Sequence, residues 1–483
     1  MWSGIVLTRA LFPLILLALF LTCTTISAQP QNHWFVTLGT SYSEDGYVTV
    51  YGSDGYLYTL GVYENDFFDF FIAKLDPDNG DLIWATTFGT DLRDEFSDAI
   101  LASDGFIYVA GYTRNADYQA LIVKVNPQDG SVVWAKTFGG ADALDRAFAI
   151  TEGPDGYLYV TGDTRSYGSG AFVAKIDPSS GDIVDFVTVS GPGNIYPHSI
   201  ITDDLGYIYI AGMCSGTTPI GYDAIVFKLD LSNREIPWYK VIDLTSEDNF
   251  YAAVLSDDGY LYVGGYSQDW DTGDYLSTFF KVNSADGSVI WFKAINLTDY
   301  GGVESVNDML LGPDNYIWAV GKMVYNITVM KLSTDGDLIL FKSINNTVEV
   351  RDITLSAEGY LYITGLTTFY GAGAYDAYVI LFSANIASQL DWTGGEDWYP
   401  VKIFEPPTEV LTLSYNTIST TLSVTEYSVT PSTLTTFSSP ITFESHKAVD
   451  SNVPIPIPEL TVVGLVALLT ALTIYAVLKK RVK

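Results

Sequence analysis

Apolar and polar positions recur along the chain in a fixed order, and the clearest unit is the octapeptide DGYLYVTG at 155–162. Near-copies stand at 54–61 (DGYLYTLG), 104–111 (DGFIYVAG), 205–212 (LGYIYIAG), 258–265 (DGYLYVGG), 314–321 (DNYIWAVG) and 358–365 (EGYLYITG). Asp-Gly supplies the positive φ of a tight turn, after which side chains alternate across a sheet. The first and third positions after the turn are aromatic, as in Tyr157 and Tyr159, and the second is aliphatic, as in Leu57, Ile107, Leu158 and Ile208. A strand apolar on both faces must be covered on both. The octapeptide therefore predicts an inner strand clamped between neighbouring sheets, and its role is packing.

The rest of the unit is as regular. FIAKLDPDNGDLIWATTFG (71–89) returns as LIVKVNPQDGSVVWAKTFG (121–139), FVAKIDPSSGDIVDFVTVSG (172–191) and IVFKLDLSNREIPWYKVIDL (225–244), each read as strand, turn, strand. Segments before the octapeptide, such as SDAILAS (97–103) and FAITEG (148–153), predict strands lining an axis. A period of about 50 residues built of short strands is that of a propeller with four strands per blade. WFVTLGT (34–40) matches the outermost strands WATTFGT (84–90) and WAKTFGG (134–140) but precedes the first full repeat, whereas the last repeat ends in a degraded ASQLDWTGG (387–395). The expected fold is all-β: a seven-bladed β-propeller over 34–398, closed by the N-terminal strand.

The two ends change the picture. ALFPLILLALFL (10–21) behind Arg9, with ISA at 26–28, reads as a signal peptide over 1–28. A Ser/Thr/Pro-rich stalk is expected over 399–459, since 16 of residues 411–440 are Ser or Thr. The uncharged run 460–478 reads as a transmembrane helix and the basic residues 479–483 as a cytoplasmic tail. The expectation is a cell-surface, single-pass protein with the propeller outside. The chain carries a net charge of −33, which repels phosphate backbones and argues against nucleic acid as a partner. After removal of 1–28 only Cys214 remains, so no intrachain disulfide is expected.

SGAFVAKIDP (169–178) and GYDAIVFKLD (221–230) resemble the β-propeller repeat of bacterial and archaeal surface proteins, over about 34–395. Asp76, Gly80 and Trp84 are similar to the Trp-docking pattern of quinoprotein-like propellers, from which Asp185 (in place of a Trp) and Arg234-Glu235 (in place of a Gly turn) depart. Quinone-dependent dehydrogenases of that class have eight blades and often a vicinal cysteine pair, so that enzyme class is set aside. Pro-Glu-Leu before the apolar run, with its basic tail, resembles archaeal sorting signals.

Motif chemistry is sparse. His33, His198 and His446 are far apart in sequence, and HExxH, CxxC, GxSxG and phosphate-loop patterns are absent. No cofactor is expected. DWDTGD (269–274) has carboxylates at Asp269, Asp271 and Asp274 that suit calcium in part, although its Gly is fifth where an EF-hand loop needs the sixth. Function is expected in the variable loops, whose aromatics Tyr63, Phe67, Tyr112, Tyr167, Trp270, Tyr275 and Tyr370 sit near carboxylates. Such surfaces suit sugar rings or a protein partner; props for the loops are the plainer role. Sequons at Asn296, Asn326 and Asn345 are candidate glycosylation sites. The preferred reading is a non-enzymatic module binding a glycan or protein. The alternatives are a structural envelope protein, or an extracellular carbohydrate-active hydrolase with a carboxylate pair in the central channel.

Overall fold

A computed structural model describes the chain from residue 34 to residue 449, leaving out 65–67, 91, 115–116, 141–142, 192, 216–220, 269–272, 274, 297–303, 324–325, 346–348, 357, 369–374, 383–390, 393–400 and the stretches between the short strands that follow. In the first repeat Ser43–Tyr51, Leu57–Glu64, Asp69–Leu75 and Leu82–Gly89 pair antiparallel in chain order. The same up-and-down pattern recurs through Glu349–Leu355, Leu361–Thr367 and Asp376–Phe382, and Trp34–Gly39 lies antiparallel to the last of these. The Asp-Gly turns take positive φ, 81° at Gly55 and 75° at Gly156. The third residue of the octapeptide strand is buried as the pattern requires: Tyr58, Tyr108, Tyr209, Tyr262 and Tyr362 are among the largest fully buried side chains. Each such ring contributes on the order of 2 kcal/mol by burial.

The turn aspartate does more than turn the chain. Asp54 accepts from the Tyr58 hydroxyl at 2.7 Å and from Lys74 Nζ at 2.8 Å, and Lys74 Nζ sits 4.2 Å from the centre of the Tyr56 ring. Asp104 with Tyr108 and Lys124, and Asp155 with Tyr159 and Lys175, repeat the arrangement. Seams between repeats are pinned by outer-strand tryptophans donating to the next repeat's turn: Trp34 Nε1 to Pro77 O at 3.1 Å, Trp134 to Pro178 O at 3.2 Å, Trp238 to Ser284 O at 2.9 Å. The two departures from this pattern answer one another. Asp185, standing where a Trp is expected, accepts from Arg234 Nη2 at 2.8 Å, and Arg234 occupies the turn position at φ 59°.

The expected architecture is corrected in four respects. First, the seven separate blades expected are not found: among the described residues the hydrogen-bonded sheets number six, because a Tyr222–Glu247 bridge merges two repeats into one ten-stranded sheet. Second, the sheets gain a fifth strand. Segments of the Ser/Thr-rich region pair with the outer strands of successive repeats in reverse order: Val401–Phe404 on Leu338–Asn345, Glu409–Leu411 on Val289–Asn296, Asn416–Thr417 on Glu235–Asp243, Ser423–Glu426 on Ile183–Ser190, Ser432–Thr433 on Val132–Phe138 and Phe437–Pro440 on Leu82–Gly89. Third, Trp34–Gly39 is not the outermost strand of its sheet, since Glu444–Val449 pairs on its other edge. Thr and Val have high β-propensity, and an unpaired sheet edge is a template for further strands, so the described residues of this segment form a belt of outer strands instead of a stalk.

Fourth, among the described residues no helix is long and apolar enough to cross a membrane. The residues assigned to the signal peptide (1–28) and the transmembrane helix (460–478) lie outside the described residues. With the spacer taken up as strands, the surface-anchored reading, its membrane partner and its single-pass localisation are withdrawn, as are the glycoprotein and archaeal-anchor assignments that depended on it.

Candidate functional site

The axis-lining first strand of each repeat carries one extra residue. The register against the second strand shifts between Gly46 and Val48, Phe96 and Asp98, Ala147 and Ala149, Pro197 and Ser199, Phe250 and Ala252, Val306 and Asp308, and Val350 and Asp352. A bulge of this kind re-aims a side chain out of the ladder. The bulged residues are Tyr47, Ser97, Phe148, His198, Tyr251, Asn307 and Arg351, and all seven line one cavity of about 630 Å³. That volume suits a small molecule.

The cavity has an aromatic side and a charged side. On the aromatic side, the His198 ring lies 5.1 Å from Tyr251 and 6.1 Å from Phe148, and its Nε2 accepts from Asn249 Nδ2 at 3.4 Å. Burial, helped by the charge of Arg146, pushes its pKa down to about 4, so the imidazole is neutral at pH 7. Tyr266 donates to Glu247 and lies 6.0 Å from Tyr275. On the charged side, Arg351 Nη2 meets Asp45 at 2.8 Å and its guanidinium stands 4.8 Å from the Tyr47 ring, while Lys322 pairs with Glu349.

Three acids follow the bulges. Asp98, Asp308 and Asp352 each accept a backbone N–H from the next repeat: Ile150 at 2.9 Å, Ile353 at 3.0 Å and Thr49 at 2.9 Å. Burial raises Asp98 to about 7 and Asp308 to about 6, and Asp352 is driven far above the usual range by burial and then by the charge of Asp308.

A second cluster stands where the fourth and fifth repeats meet. Asp223, Asp243 and Asp248 each offer an oxygen within 4.8 Å of the other two. Burial, then the charges of Asp243 and Asp248, raise Asp223 to about 7. Three carboxylates at this spacing can coordinate a metal ion. The lean away from an enzyme is corrected on this finding together with the acids of the cavity: the molecule holds buried, proton-retaining and metal-competent groups of the kind catalysis uses.

Of the aromatics expected to form a site, Tyr112 and Tyr275 line the cavity. Tyr63 instead packs edge-on to Tyr42 at 5.5 Å, and Tyr167 lies 5.0 Å from Phe186 in the core. Phe67, Trp270 and Tyr370, with Asp269, Asp271 and Asp274, lie outside the described residues. Asn296, Asn326 and Asn345 stand at strand ends, and Asn326 is in register opposite Asn345. The bulged residues and the Asp223 cluster were not foreseen. The bulge shows in sequence only as a break in strand alternation, and Asp243 only as an acid where WATTFG and WAKTFG carry glycine.

The β-propeller repeat family matches residues 189–217. No curated protein matches the chain. Virginiamycin B lyase from Staphylococcus aureus is similar in structure at 12% identity and a TM-score of 0.47, over 72% of this chain and 98% of that one. The periplasmic gluconolactonase PpgL from Pseudomonas aeruginosa is similar at 12% identity and a TM-score of 0.46, over 81% and 99%. A Bacteroides caccae protein of unknown function is similar at 16% identity and a TM-score of 0.35, over 54% and 93%. The fold is all-β, with repeated four-stranded units of propeller-like topology, in keeping with the repeat match.

Proposed function

We propose that the protein is a hydrolase that takes a small, polar, ring-shaped substrate such as a sugar derivative into the central cavity and cleaves an acyl bond there. The observation that carries this is the pair Asp308 and Asp352, which both line the cavity, with burial and then the charge of Asp308 raising Asp352. Two neighbouring carboxyls whose charges oppose one another do not both ionise readily near neutral pH, so the pair retains a proton. A carboxylate beside a carboxylic acid supplies a base for water and a proton for a carbonyl oxygen, which suits water addition to a carbonyl. Asp308, the more acidic partner, takes a proton from the attacking water while Asp352 gives its proton to the carbonyl oxygen. Collapse of the adduct returns both protons and releases acid and alcohol. Arg351 and Lys322 offer charge to a polar substrate, and the rings of Tyr112 and Tyr275 offer faces to a sugar-like ring.

The test is a pH-stat screen of sugar lactones and chromogenic sugar esters. Turnover by the wild-type chain is expected to fall at least about a hundredfold in Asp308→Asn and in Asp352→Asn, in line with the loss of a general acid or base. Tyr112→Ala is expected to raise KM more than it lowers kcat. Absence of turnover across the panel, or wild-type rates in both Asn variants with melting temperatures unchanged, overturns the reading.

A further inference from the structure

The seams between repeats serve as internal controls for one another. At the first seam the outer strand ends in Gly89, and a Cβ placed there would stand 2.7 Å from Asp69 Oδ1 and 3.0 Å from Asp94 Oδ2. At the second, a Cβ on Gly139 would stand 2.8 Å from Asp145 Oδ2. Glycine at these places leaves room for the acids. The fourth repeat ends instead in Asp243, so a third carboxylate enters the space that its sisters keep free.

We infer that this seam binds one divalent, oxygen-seeking cation, Ca²⁺, through Asp223, Asp243 and Asp248. Calcium–oxygen bonds are about 2.3–2.6 Å, so two ligands on opposite sides of the ion stand roughly 4.6–5.2 Å apart. Ligand atoms all within 4.8 Å of one another can therefore share a single ion. The donor set holds carboxylates and neither His nor Cys, which suits calcium over zinc.

A second, independent observation points the same way. Asp223 is 1% exposed, and its Oδ2 is buried with no hydrogen-bond partner. An ionised oxygen left bare costs stability, and a cation offsets that cost. Asp248 is already fixed as a ligand: its Oδ2 accepts Leu244 N at 2.7 Å and Thr245 N at 3.2 Å. Asp243 is half-buried and gives the ion its way in from solvent. Glu247, the neighbour of Asp248 in sequence, accepts from the cavity-lining Tyr266, which brings this strand end to the side of the cavity. This inference stands independently of the proposed reaction.

The test uses the full chain, stripped with chelator and titrated with Ca²⁺ by calorimetry in 150 mM NaCl (about physiological ionic strength, which screens diffuse binding to surface acids). The wild type is expected to take up one more ion per chain than Asp243→Gly, which restores the residue the fold already accepts at 89 and 139. It should also melt higher with Ca²⁺ where Asp243→Gly does not. Asp223→Asn, nearly the same in shape, should weaken uptake at least tenfold. Equal stoichiometry in the wild type and Asp243→Gly, or undiminished binding in Asp223→Asn, overturns the inference.

Discussion

Raising the pH from 5 to 8 should destabilise this protein, the reverse of what paired surface carboxylates produce. The seam acids set the sign. Asp94 is fully buried, and although its oxygens accept Thr90 N at 2.6 Å and Thr90 Oγ1 at 2.9 Å, burial pushes its pKa up to about 6. Glu44, also fully buried, is pushed up to about 7 by burial, against the bonds from Thr40 and with added repulsion from Asp376 and Glu64. In the unfolded chain such groups ionise near pH 4. Between that value and 6–7 the folded state holds protons that the unfolded state has released. Their stabilising contribution is thus complete below pH 4 and is lost as pH rises through the folded values. For Asp94 the gap corresponds to about 3 kcal/mol, an upper figure for one group.

His198 acts in the opposite sense. It is held neutral, and it contributes stability that is gained as pH rises towards 6.5. One histidine is outnumbered by Glu44, Asp94, Asp98, Asp223 and Asp308, all raised. Asp54, Asp104 and Asp155 do not enter. Burial alone would raise them, but the bonds from their lysines and tyrosines hold them below the usual range, so they stay ionised throughout the window. Thermal unfolding followed by circular dichroism, at constant ionic strength and with chelator so that no cation holds Asp223 ionised, is expected to show a fall from pH 5 to pH 8: the unit of pH between 5 and the folded Asp94 value alone is worth about 1.4 kcal/mol, or roughly 3 °C at about 2 °C per kcal/mol for a large domain, and the other raised acids add to it. Asp94→Asn should flatten the slope. A melting temperature that is level or rising across this range refutes the reasoning.

Three further outcomes follow from the packing. Truncation before residue 401 removes the belt and bares the outer edges of the sheets; lower melting temperature and aggregation are expected by light scattering, with each lost backbone hydrogen bond worth about 1 kcal/mol. Asp185→Ala should destabilise by removing the carboxylate that accepts from Arg234 Nη2, and in a double-mutant cycle Arg234→Gly should recover part of that loss, with a coupling of about 1 kcal/mol by urea unfolding. Tyr108→Phe removes the hydroxyl that donates to Asp104 at 2.6 Å and should cost about 1–2 kcal/mol in the same assay without altering ligand uptake in the cavity.

The repeat was legible because its signals are local. Asp-Gly turns, two-sided apolar strands and outer-strand tryptophans each act within a few residues, so the octapeptide reads correctly as an inner strand buried on both faces. The pairing of Trp34–Gly39 with Asp376–Phe382 joins segments more than three hundred residues apart, and its trace in sequence is the likeness of WFVTLGT to WATTFGT. The region after 400 was misread because Ser and Thr are as common in spacers as in edge strands. Only the presence of open sheet edges at the right distance selects the strand, and those edges exist only in the folded molecule.

The candidate sites divide in the same way. Tyr112 and Tyr275 were visible as loop aromatics, but that they face one cavity with His198 and Arg351 depends on seven bulges, each a shift of one residue that alternation alone does not mark. Asp185 and Arg234 look like two separate faults in the repeat and prove to be a single contact. Asp223, Asp243 and Asp248 are ordinary surface-type residues in sequence and become a cluster only when the ends of three strands from two repeats converge. The sequence by itself determined the strand, the turn and the period, because these follow from the covalent chain and its nearest neighbours. Tertiary structure alone decided what meets in the cavity and at the seams, because burial and charge proximity are properties of segments brought together from far apart.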